Sequence, residues 1–194
     1  MPPGEGMPRN PSYARCRPGT ASGESGWPAN RVLLGALAGI TATVAMTATM
    51  RALHRRLPPP ERYPLPPREI VQRVVDEPSD LALTEQARQD ATLAAHFGYG
   101  AATGALYALA RPSERALPGA LYGVLVWAVS YLGWIPSLGI LRQAGRHPLR
   151  RNALMIAAHL VWGATLAATL RELERAEAEI FAQDEAKDLA PDAR

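Results

Sequence analysis

Four stretches of the chain carry no charged residue: 32–50, 91–110, 116–141 and 152–170. At a rise of 1.5 Å per residue, each is long enough as a helix to cross a hydrocarbon core of about 30 Å. Helices in the core of a soluble protein usually keep one polar stripe toward water, and these four have none. The pattern predicts an all-α, integral membrane four-helix bundle over residues 31–171. Trp127, Tyr131, Trp134 and Trp162 supply aromatic weight suited to membrane interfaces or bundle packing.

The segments outside the four stretches read differently. Residues 1–30 are rich in Pro, Gly and Ser and are expected to form a disordered tail. They do not read as a signal peptide, because the first apolar run starts too far along and is too long. The prolines of LPPPERYPLPP, 57–67, forbid helix and require an extended connection. After them, Ile70, Val71, Val74 and Val75 fall on one side of REIVQRVVDE, 68–77, which predicts a short amphipathic helix on the membrane surface. The charged run from residue 172 to 194 is expected to continue the fourth helix into water. Ten arginines flank the first and third loops, against six on the opposite side. The positive-inside rule then places the two long loops in the cytoplasm and both termini outside.

Composition narrows the function classes. Apolar residues make up 47% of the chain despite 18 prolines, so the apolar material is concentrated in the four stretches. A net charge of +3 gives no footprint for nucleic acid. Cys16 is the one cysteine, which excludes an internal disulfide and any C-x-x-C metal motif. The glycines of HFGYGAATGALYAL, 96–109, approach a dinucleotide fingerprint. That fingerprint needs a preceding strand, a helix starting at the glycines and an acidic residue about twenty positions on. None of these is present, and no nucleotide is expected. Gly100 and Gly104 instead have the four-residue spacing that lets helix backbones approach in lipid, as do Gly35 with Gly39 and Gly119 with Gly123. The spacing fits one tight bundle or a homodimer of bundles equally well.

An ionisable residue inside a membrane span is a functional suspect. His96 lies six residues beyond Asp90 and His159 eight beyond Arg151, roughly 9 and 12 Å into their helices from the same side. The first helix leaves the membrane at that level with Thr43, Thr47 and His54 on one face, and the third with Tyr131 and Trp134. His96, His159, His54, Thr47, Tyr99 and Tyr131 form the candidate polar cluster. Three chemistries suit it. His96 and His159 could ligate haem iron or a transition metal. The imidazoles could carry protons or admit a solute, with Tyr and Thr hydroxyls as relays. Or each histidine could only bond across the bundle as interhelical glue. Met46 and Met50, four residues apart, read as core filler. No Asp or Glu lies in any span, which weighs against cation pumping, and no G-x-S-x-G or H-E-x-x-H motif occurs. No catalytic residue emerges, and the balance leans away from an enzyme.

GALAGITATVAMTATM, P-L-P-P-R-E-I, HFGYGAATGALYAL and GWIPSLGILRQAGRHPLRRNALMIAAHLVWG together resemble the YagU-like family of small bacterial inner-membrane proteins, over roughly residues 32–170. The resemblance implies a multi-pass protein of the bacterial inner (plasma) membrane. It brings no established activity, cofactor or catalytic residue. The leading expectation is solute or proton handling through the polar cluster. The alternatives are a haem- or metal-binding membrane subunit, and a structural partner of another membrane protein through small-residue helix faces.

Overall fold

A computed structural model describes residues 28–62, 68, 70, 84–110, 116–139 and 148–188, and the described residues are helical with no strand among them. Helix α1 spans Pro28–His54 and α2 spans Glu85–Leu109. Helix α3 spans Ala116–Ala128, and α4 runs unbroken over Leu149–Asp188. Among the described residues, three helical segments are long and apolar enough to cross a membrane, Ala29–His54, Leu117–Ser137 and Leu149–Ala182, and the expected span over 91–110 does not reach that hydropathy. The expected tail over 1–30 lies outside the described residues up to 27, while 28–30 already belong to α1. The expected surface helix over 68–77 lies outside them too, apart from Arg68 and Ile70.

Local chemistry sets several helix ends. Pro28 opens α1, where its missing N–H costs no intrahelical bond. Arg51 and His54 sit in its last turn, against the negative end of the helix dipole. Thr84 caps α2 by accepting from the Ala87 amide at 3.2 Å, with Glu85 in the first turn.

The third stretch is not one regular helix to 141. After Ala128 the backbone widens into a π-helical turn, Val129–Trp134, with Gly133 at non-helical dihedrals (φ −103°, ψ −109°). A single helical turn, Ile135–Ser137, follows and the chain then leaves the helix. Pro136 fits the widening, because it has no amide to offer the Leu132 carbonyl one turn back and its ring crowds that carbonyl; the exit comes at Gly139, whose φ of 71° is the left-handed conformation that closes helices. Widened turns of this type recur at functional sites.

The four helices pack in a ring. Helix α1 lies along both α2 and α4, and α4 lies along both α1 and α3. At one end the Arg31 guanidinium meets Glu174 at 3.4 Å, and Asn30 donates to Glu177. At the other, Arg151, 2% exposed, donates to the Glu61 carbonyl just beyond α1. Helices α1 and α4 are therefore antiparallel along their length.

Glycine sets the closest approaches. A Cβ on Gly35 would sit 2.6 Å from the Gly104 carbonyl oxygen, and one on Gly39 would overlap the Gly100 carbonyl. The same device joins α3 to α4, where a Cβ on Gly119 would meet the Gly163 carbonyl and one on Gly123 the His159 carbonyl. The two halves also share sequence: LLGALAG, 33–39, and LPGALYG, 117–123, agree at five of seven positions. The fourth seam is different. The backbones of α2 and α3 scarcely approach, and tyrosines bridge them instead.

Candidate functional site

Between the tyrosine-bridged seam and the three glycine-packed or α1–α4 seams lies a partly open cavity of about 270 Å³. Its lining draws on all four helices and is mostly apolar. An apolar cavity of 150 Å³ suffices for benzene, so there is room for a small molecule or several waters. Ser130, Tyr131, Trp134 and Ile135, from the widened turn of α3 and the residue after it, form one wall. The bridges across the α2–α3 seam are Tyr99 Oη to Ser130 Oγ at 2.9 Å and Tyr122 Oη donating to the Thr103 carbonyl at 2.8 Å. The Tyr107 and Tyr122 rings meet at 4.9 Å between centroids.

His96 and His159 both line this cavity, with Tyr99 and Tyr131. Thr47 stands behind His96, its Oγ1 3.2 Å from the imidazole Nε2. His54 does not join them: it is the last residue of α1, partly exposed and outside the cavity lining. The six glycines Gly35, Gly39, Gly100, Gly104, Gly119 and Gly123 all make their close approaches within this chain.

The hydrogen bonds assign a tautomer to each histidine. Thr47 gives its hydroxyl proton to the Thr43 carbonyl at 2.7 Å. With the proton on that shorter contact, its oxygen accepts from His96, which corresponds to the tautomer with Nε2 protonated and the lone pair on Nδ1. For His159, Nδ1 lies 2.7 Å from the Met155 carbonyl. A carbonyl accepts, so Nδ1 is protonated and Nε2 holds the lone pair. Each imidazole is thus oriented by an oxygen behind it and keeps one basic nitrogen uncommitted among the described residues. Thr43 forms a parallel relay, donating to the Gly39 carbonyl at 2.8 Å and accepting from Trp162 Nε1 at 3.2 Å.

The lining also contains residues outside the expected cluster. Met46 and Met50 of α1 and Met155 of α4 all border the cavity, as do Thr43, Ser130 and Trp162. One signal for the methionines was present in the sequence: Met155 and His159 share the i, i+4 spacing of Met46 and Met50, which places each pair on one helix face. Among the described residues no group of three or more His, Cys, Asp or Glu side chains gathers as a metal site. Comparison of the chain with protein-family models, curated proteins and solved structures finds no match in any of the three.

Proposed function

We propose that this chain is a multi-pass, four-helix protein of the bacterial inner membrane that handles a small solute or protons, without enzymatic chemistry, through the cavity between His96 and His159. The observation that carries the reading is the convergence of these two histidines, from different helices, on one cavity with Tyr99, Ser130 and Tyr131. Two basic nitrogens beside hydroxyls in an otherwise apolar lining can accept a proton or a donor group and pass it on.

The outer surface supports a lipid environment. Leu117 is 69% exposed and Leu121 59%, while Thr43 and Arg151 are almost fully buried. Monomeric soluble proteins rarely present apolar surface of that extent. Hydroxyls inside the helices return to the carbonyl one turn back, as Thr41 does to Leu37 and Thr92 to Arg88, which suits surroundings that offer no water. The antiparallel packing of α1 and α4 supports four crossings rather than three, because an odd number would leave the first and last spans parallel. Helix α2 then crosses as well. Its lower hydropathy follows from the residues inside its charge-free part, His96, Tyr99, Tyr107, two threonines and the glycines. In this reading both termini lie outside the cytoplasm, with the arginine-rich loops inside.

Reconstitution tests the proposal. Full-length protein in liposomes holding a pH-sensitive dye should admit protons under an imposed membrane potential, and His96→Ala should slow the flux while leaving the folded fraction unchanged. Wild-type flux in that variant would remove His96 from any path.

A further inference from the structure

We infer that the cavity is a binding site for a soft monovalent metal ion, copper(I), held by donors drawn from the thioethers of Met46, Met50 and Met155 and the imidazoles of His96 and His159. The inference rests on the cavity reading above and names the solute. Its first support is placement. The chain has five methionines and four histidines. Met1 and Met7 precede the described residues, and His54 and His147 lie outside the charge-free stretches. Every methionine and histidine within those stretches borders this one cavity. All three methionines are buried in the bundle core, and the part of the core they fill is the part that both histidines reach.

The second support is the orientation of the imidazoles. Metal-ligating histidines characteristically donate their other N–H to a carbonyl or another oxygen, which fixes the tautomer and raises ligand basicity. His159 does so toward the Met155 carbonyl and His96 toward Thr47 Oγ1. The third support is the character of the donor set. It contains no carboxylate and no thiolate, so it is uncharged, and thioethers favour copper(I) where zinc and the hard cations prefer thiolate, carboxylate or a full imidazole set. A single positive charge is the least costly to desolvate. The rings of Trp162 and Tyr99, also in the lining, offer π-faces that attract a cation.

The test uses metal-free, full-length protein in detergent, titrated anaerobically with copper(I) held by the chromogenic chelator bicinchoninate. Wild type should withdraw about one copper(I) per chain, and X-ray absorption of the loaded protein should show both sulfur and nitrogen neighbours. The triple variant Met46→Leu/Met50→Leu/Met155→Leu conserves volume, so its fold should persist, as a thermal melt will report. It should bind at least about tenfold more weakly, and Thr47→Val, which removes the oxygen behind His96, about 10- to 100-fold more weakly. Failure of wild type to take copper(I) from the chelator, or undiminished binding by a folded triple variant, overturns the inference. Proton flux without copper binding would end this inference and leave the proposed function standing. Copper binding without proton or copper flux would keep the site and end the passage reading.

Discussion

Tyr107 and Tyr122 face one another across the α2–α3 seam, yet their hydroxyls are in opposite situations. Tyr122 donates to the Thr103 carbonyl, whereas the Tyr107 hydroxyl is buried with no hydrogen-bond partner among the described residues. An intramolecular hydrogen bond contributes about 1 kcal/mol net, while an unpaired buried polar group only carries its desolvation cost. Tyr122→Phe should therefore lower stability by about 1 kcal/mol, and Tyr107→Phe should leave it unchanged or raise it. Unfolding of both variants in mixed micelles measures the difference, and equal losses would show that the Tyr107 hydroxyl contributes as much as that of Tyr122. The same reasoning at Thr47 explains why a threonine matters to a histidine. Its proton is committed within its own helix, so its oxygen becomes a fixed acceptor that aims His96.

At the level of the helices, the glycines decide how near two backbones come. A methyl group on Gly39 must displace the Gly100 carbonyl, which is backbone and cannot swing away, whereas Gly98 has open space where a Cβ would go. Gly39→Ala should destabilise the protein by ~1–3 kcal/mol, the usual range for overpacking. Gly98→Ala, which also improves helix propensity, should be neutral or stabilising. Thermal melts in detergent decide this, and a neutral Gly39→Ala would mean that α1 and α2 are not packed as closely as described. The four-residue glycine spacing was legible because it follows directly from helix periodicity. Which glycines oppose which was not, because that depends on how whole helices dock. The likeness of LLGALAG to LPGALYG was readable in the sequence, and it relates the α1–α2 contact to the α3–α4 contact. The widened turn in α3 was half legible. Pro136 marks a break, but absence of charge alone suggested an uninterrupted helix to 141.

For the whole molecule, the level shared by His96 and His159 followed from counting residues inward from Asp90 and Arg151. Their meeting in one cavity required the ring order α2–α1–α4–α3, which no local pattern specifies. His54 illustrates the limit of face arguments: it lies seven residues from Thr47 on the same helix, yet α1 carries it past the cavity. The ring order has a consequence for topology. Arg31 with Glu174 at one end and Arg151 with the Glu61 carbonyl at the other make α1 and α4 antiparallel. In a bilayer this requires an even number of crossings, so the chain before α1 and the charged extension of α4 share a side. Single cysteines introduced by Ala29→Cys, Arg62→Cys and Glu179→Cys into a Cys16→Ser background test this with a membrane-impermeant thiol reagent on intact cells. Ala29→Cys and Glu179→Cys should be labelled from outside, and Arg62→Cys only after permeabilisation. Labelling of Arg62→Cys alone would reverse the orientation while keeping four spans. Labelling of Ala29→Cys without Glu179→Cys, or the converse, would leave an odd number of crossings, which the antiparallel packing of α1 and α4 does not allow.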